Sequence, residues 1–142
     1  RDVPVQMVHG DFHLGQTLLT PDGWRIIDFE GEPLKSMAER LAPDSAWRDV
    51  AGMTRSLAYA TSAHDDPSSD AALEWLRVAR DSFLRAYCGE HRAVDGDLLS
   101  AYEADKAAYE VVYETRNRPD WVQIPLRAIQ HVTSTVTLEG EK

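Results

Sequence analysis

The alternation of apolar and polar residues divides the chain into an extended beginning, one hairpin and a run of helices. Val3 to Val8 reads as extended, because Pro4 argues against a helix. Thr17-Leu18-Leu19 and Trp24-Arg25-Ile26-Ile27 are short β-prone runs joined by the turn Thr20-Pro21-Asp22-Gly23, and are predicted to pair. Gly31 to Leu41, with Pro33, reads as loop, and Ala42-Pro43-Asp44-Ser45 as a helix start. Apolar spacing predicts a helix from Ala46 to about Ala63, carrying Trp47, Val50, Ala51, Leu57 and Ala58 on one side. Ser62 to Asp70 has the composition of an exposed loop. A second helix follows from Ala71 to Tyr87, with Leu73, Leu76, Phe83 and Tyr87 as its buried stripe and Gly89 as its stop. A third, capped by Asp95 or Asp97, runs to about Arg116 and must end before Pro119. A short closing helix over Val122 to about Val132 leaves Thr133 onward as a tail. The architecture expected is mainly α with a small β-hairpin.

The third helix departs from the usual core pattern. Lys106, Tyr109, Glu110, Tyr113 and Asn117 recur at three- and four-residue steps, so one face carries two phenols, an amide and both signs of charge. Aromatic faces flanked by hydrogen-bonding groups suit a pyranose, although tyrosines at helical spacing serve packing more often than ligand contact.

Composition narrows the partners. At 142 residues the chain forms one domain at most, able to bury roughly 70% of its unfolded surface. A net charge of −9, from 24 acidic against 15 basic scattered residues, disfavours nucleic acid and anionic membrane as partners. The single Cys88 excludes an internal disulfide, and there is no 18-residue apolar run or signal peptide. A cytoplasmic location is the expectation.

The densest chemistry lies in His9-Gly10-Asp11-Phe12-His13-Leu14-Gly15-Gln16 and Ile26-Ile27-Asp28-Phe29-Glu30. Phosphoryl transfer needs a carboxylate to orient and deprotonate the attacking hydroxyl, plus oxygen ligands for magnesium. In protein kinases the catalytic aspartate is followed five positions later by an amide ligand and then, after a hairpin, by a second aspartate. Asp11, Gln16 and Asp28 stand in that order, with the hairpin delivering Asp28 beside Gln16. Glu30-Gly31 replaces the glycine that would follow Phe29 in a protein kinase. A competing reading takes His9, Asp11 and His13 as a strand-borne zinc cluster. It leaves the Asp28 hairpin without a purpose.

This order resembles the small-molecule kinases related to aminoglycoside phosphotransferases, which share the protein-kinase-like fold. Four blocks extend the likeness: Val8 to Gln16, Ile27 to Pro33, Arg48 to Met53, and Tyr109 to Trp121 with Ile124-Pro125-Leu126. Together they are similar to the C-terminal half of bacterial maltokinases. The resemblance implies a mainly helical C-terminal catalytic and acceptor-binding lobe over residues 1–142, with the ATP-holding N-terminal lobe supplied elsewhere. It implies transfer of the ATP γ-phosphoryl group to the anomeric hydroxyl of maltose, feeding trehalose-to-α-glucan (glycogen) synthesis, with trehalose synthase as an associated enzyme. Asp11 would be the catalytic base, Gln16 and Asp28 would hold Mg2+, and His9 and Asp49 would support the loop. Asp49 reads equally as a first-turn acid facing the helix dipole. Lys106, Tyr109, Glu110, Tyr113, Arg116 and Trp121 would contact maltose. Alternatives are a related kinase for an aminoglycoside or polyol, or a non-catalytic sugar-binding module. The isolated lobe is expected to be inactive.

Overall fold

The computed structural model describes residues 2–32, 35–90 and 93–130. Pro33, the last residues of the expected closing helix and the expected tail from Thr133 lie outside them. Two strands, β1 (Thr17–Thr20) and β2 (Gly23–Ile26), precede a short helix α1 (Met37–Leu41) and three longer ones, α2 (Trp47–Ala60), α3 (Asp70–Cys88) and α4 (Gly96–Asn117). Residues 123–130 are helical as well.

The hairpin forms as its turn chemistry dictates. Thr17 pairs with Ile26 and Thr20 with Gly23, leaving Pro21-Asp22 as a two-residue turn, with Gly23 at a φ of +109° that a side chain would resist. The ladder continues one step further, Ile27 N–H donating to Gln16 C=O at 3.0 Å. That extra bond sets the start of the next segment beside Gln16.

Helix ends follow local rules. Ser69 caps α3 by accepting from Ala72 N–H, Gly89 ends it at positive φ, and Asp95 caps α4 by accepting from Leu98 N–H. One helix went unforeseen: Ser36 and Glu39 form a reciprocal capping box that starts α1 inside the stretch expected to be loop. The five-residue helix is too short for apolar periodicity to reveal it.

The core is small. Val50 and Ala51 of α2, Leu84 of α3 and Leu99 of α4 form it, with Trp47, Phe83 and Tyr102 packed against it. The buried stripe expected of α3 is only partly realised, since Leu73 and Tyr87 are exposed. Ala72 and Leu84 are the buried residues of α3 instead.

Much of the α2–α4 seam is polar. Thr54 donates to Glu103 at 2.5 Å, and Arg80 of α3 also binds Glu103. Arg55 grips Glu110 through Nε and a terminal nitrogen at 3.0 and 2.7 Å. Tyr59 donates to Glu114 at 3.0 Å, and Arg118 holds the same carboxylate at 2.6 Å. Each buried acid thus has a cation and each cation an acid, which is what makes burial of such groups tolerable.

Candidate functional site

One face of α2 builds the His9–Gln16 loop. Asp49 accepts two backbone bonds, from His9 N–H at 2.7 Å and Gly10 N–H at 2.9 Å. A turn later Gly52 lets the Phe12 carbonyl approach so closely that a Cβ on Gly52 would lie 2.4 Å from its oxygen. One further turn on, Ser56 accepts from Leu14 N–H at 3.0 Å. Residues 49, 52 and 56 share a helical face, so a carboxylate, a bare backbone and a hydroxyl clamp the loop along its length.

His9 locks the loop from within. Its Nε2–H donates to the Ile27 carbonyl at 2.7 Å, while its Nδ1 accepts from Asp11 N–H at 3.3 Å. A carbonyl only accepts and an amide only donates, so these partners define the tautomer. The ring is buried, with Phe29 at 4.8 Å and Phe12 at 5.7 Å between centroids. Neither nitrogen has a lone pair left to turn outward, which removes His9 from the zinc cluster considered above.

Around this frame stand the candidate chemical groups. Gln16 donates its side-chain amide to Asp28 Oδ2 at 3.0 Å, so the hairpin does join these two positions. Asp28 takes a φ of +61°, uncommon for a residue with a side chain, which directs the chain sharply out of the hairpin. Asp11 is flanked by His13 Nε2 at 3.7 Å and Lys106 Nζ at 4.0 Å, one beside each carboxylate oxygen and both beyond hydrogen-bonding reach. His13 is oriented by accepting Gly15 N–H on its other nitrogen, capping the 3-10 turn Leu14–Gln16.

Magnesium prefers hard oxygen ligands and completes its shell with water and substrate phosphates, so one or two protein ligands suffice. The Gln16 carboxamide and the Asp28 carboxylate fit that demand. Among the described residues no group of three or more His, Cys, Asp or Glu side chains is placed to hold a metal.

A cleft of about 440 Å³ opens beside the loop, lined by Gly10, Glu32, Lys35, Arg48, Tyr102, Asp105, Lys106 and Tyr109. Arg48 is held by Asp44, lies 5.0 Å above the Tyr102 ring, and approaches Asp105 at 3.8 Å. Tyr102 also donates to Asp44 at 3.0 Å. Burial works against the Asp44 carboxylate, but Arg48, the Ser45 amide and Tyr102 outweigh it and hold it below the usual aspartate range. Tyr109 is pushed upward by burial first and then by the nearby Glu32.

The structure divides the six side chains expected at a sugar wall. Lys106 and Tyr109 line this cleft, with Tyr109 44% exposed. Glu110 turns to Arg55 in the α2–α4 seam, where burial raises its pKa against the opposing pull of that guanidinium. Tyr113 is half-exposed beneath the Arg118 guanidinium, and Arg116 is exposed. Trp121 stacks on Tyr59 at 6.1 Å under Arg118 and borders a second cavity, of about 710 Å³, between α2, α3 and the closing helix. Pro119 causes this separation: it ends α4 and sends the chain through a 3-10 turn, Pro119–Trp121. Arg118 pairs with Glu114 four residues before it.

Sequence reasoning missed Gly52, Ser56 and Arg55. The signal was Asp49, Gly52 and Ser56 at steps of three and four, where a helical glycine reads only as a weak helix former.

No protein-family model matches the chain. Curated relatives do, among them a glucosamine kinase of Streptacidiphilus jiangxiensis, 34% identical over 132 residues, covering 86% of this chain and 30% of the relative, and a glucosamine kinase of Mycolicibacterium smegmatis, 32% identical over 136 residues, covering 89% and 34%. Among solved structures, a glucosamine kinase in complex with glucosamine, ADP and inorganic phosphate superposes with a TM-score of 0.80 at 28% identity. That match covers 99% of this chain and 38% of the neighbour. Another glucosamine kinase structure, crystal form A, gives 0.79. The chain therefore spans about a third of the length of the curated relatives it matches. Its mostly helical fold with one two-stranded sheet is similar to that part of a sugar kinase.

Proposed function

We propose that the chain is the acceptor-side lobe of an ATP-dependent sugar kinase, and that its acceptor is an amino sugar of the glucosamine class. The observation that carries the kinase reading is the Gln16–Asp28 side-chain bond set beside a loop that Asp49, Gly52 and His9 hold in place. The glucosamine kinases it resembles favour an amino sugar over the maltose that the four sequence blocks suggest. At the cleft the outward Asp105 carboxylate suits a cationic amino group.

In this reading Asp11 orients the acceptor hydroxyl and takes its proton, while His9 and Asp49 keep the loop in register for attack. Gln16 and Asp28 would hold Mg2+, which would neutralise charge on the phosphoryl group. Tyr109 covers one side of the sugar. Glu110, held by Arg55, and Trp121, beside the second cavity, take no part in this contact. An ATP-holding lobe would cover the hairpin side, where Trp24 and Phe29 are 67% and 68% exposed beside Leu18 and Leu19. Without that lobe the chain is expected to transfer nothing.

The test is an acceptor panel, read by 31P NMR, with the longer protein that includes the ATP-holding region. Glucosamine, maltose, an aminoglycoside and a simple polyol are compared under Mg-ATP. Glucosamine should be phosphorylated fastest, and Asp11→Asn should abolish turnover while sugar binding persists. Preferential phosphorylation of maltose would restore the maltokinase reading. Turnover undiminished in Asp11→Asn would remove Asp11 as the base.

A further inference from the structure

We infer that Lys106 is the cation that receives the transferring phosphoryl group beside Asp11, rather than a contact for a sugar hydroxyl; this rests on the kinase reading above. Three cations line the cleft, and two of them sit against acids other than Asp11. Arg48 is bound to Asp44, and Lys35 lies 3.7 Å from Glu32. The third, Lys106, extends its amino group from α4 to 4.0 Å from Asp11 Oδ1.

The packing sets it against α2 there, in ordinary contact with the Gly52 position. The Cβ that Gly52 lacks would stand 3.8 Å from Lys106 Nζ, on the same bare patch of α2 that admits the Phe12 carbonyl. Glu110, one turn along α4, is fastened to Arg55, so the helix face bearing Lys106 is anchored to α2 immediately behind the loop. Lys106 is thereby presented at the base, with a gap on its open side.

That gap has a chemical use. When the acceptor hydroxyl passes its proton to Asp11, its oxygen lone pair forms the new O–P bond, and the bond from phosphorus to the bridging oxygen breaks with its electron pair leaving on the nucleoside diphosphate. Before that proton moves, the negative charge of the phosphoryl oxygens lies close to the ionised Asp11 carboxylate, and these repel. A lysine ammonium between them donates to the phosphoryl oxygens and keeps its protons throughout. His13 Nε2, 3.7 Å from the other Asp11 oxygen, remains to orient the carboxylate.

Two measurements test this. In the present chain, inorganic phosphate is titrated at constant ionic strength while the Gly10 and Gly52 amides are followed by NMR. Shifts are expected in the wild type and Lys106→Arg and absent in Lys106→Met; equal shifts in Lys106→Met, or none in the wild type, overturn the assignment. In the longer, ATP-bearing protein, Lys106→Met should lower kcat about 100-fold with sugar KM little changed, and Lys106→Arg should recover part of it. A raised sugar KM with kcat retained makes Lys106 a sugar contact instead. Should the wild type phosphorylate no sugar at all, the kinase reading falls, whereas the phosphate titration still decides whether Lys106 binds the anion.

Discussion

Replacing Gly52 by alanine is the smallest change that probes how α2 holds the His9–Gln16 loop. The new methyl would stand 2.4 Å from the Phe12 carbonyl oxygen, and Cβ atoms essentially never come within 3.0 Å of such an atom. Both partners are backbone, so no side chain can swing aside; helix and loop must part by at least ~0.6 Å. The two bonds to Asp49, at 2.7 and 2.9 Å, sit three residues away on the same face and would lengthen with that movement. Alanine gains about 1 kcal/mol of helix propensity over glycine, against an overpacking cost of ~1–3 kcal/mol. Global stability should therefore change little or fall by up to about 2 kcal/mol. Function should fall much further, because a displacement approaching 1 Å of a positioned group costs roughly 100-fold in rate. Urea melts of this chain give the first quantity, and, under the proposed function, phosphoryl transfer in the presence of an ATP-holding lobe gives the second. Hydrogen exchange at the His9 and Gly10 amides reports the loop directly. A variant stabilised by about 1 kcal/mol, with those amides as protected as before and full turnover, would refute the clamp.

Three further outcomes follow from the same contacts. Asp49→Ala deprives two amides of a charged acceptor and should cost about 3 kcal/mol in a urea melt, with Asp49→Asn recovering part of it; equal stability of all three proteins would contradict this. Glu114→Ala leaves the Tyr59 hydroxyl without its partner at the α2–α4 seam and should lower stability by about 2 kcal/mol, less than a fully buried pair would, because Arg118 can turn to water. The Asp44 carboxyl has its pKa lowered in the fold, so its contribution is complete above the ordinary aspartate value of 3.8 and is lost as pH falls through its lower folded value. Thermal melts of wild type and Asp44→Asn should accordingly differ most at neutral pH and converge in acid; a constant gap would argue against the Asp44–Arg48–Tyr102 cluster.

Local chemistry alone determined several elements. Pro21-Asp22-Gly23 specifies a tight turn, the turn sets the register, and the register delivers Asp28 to Gln16, all within thirteen residues of chain. Ser69, Gly89 and Asp95 mark helix ends for the same reason, since a cap acts on backbone groups within one turn of itself. The tertiary structure alone decided what α2 is for. Asp49 bonds an amide forty positions away, Gly52 is empty because another backbone passes there, and Glu110 serves Arg55 across fifty-five residues. A carboxylate in a sequence carries no mark of whether it will face water, a sugar or a guanidinium. That choice belongs to whichever partner the packing of α2 against α4 brings within reach, and Trp121 was carried from the cleft to the second cavity by one proline-ended helix.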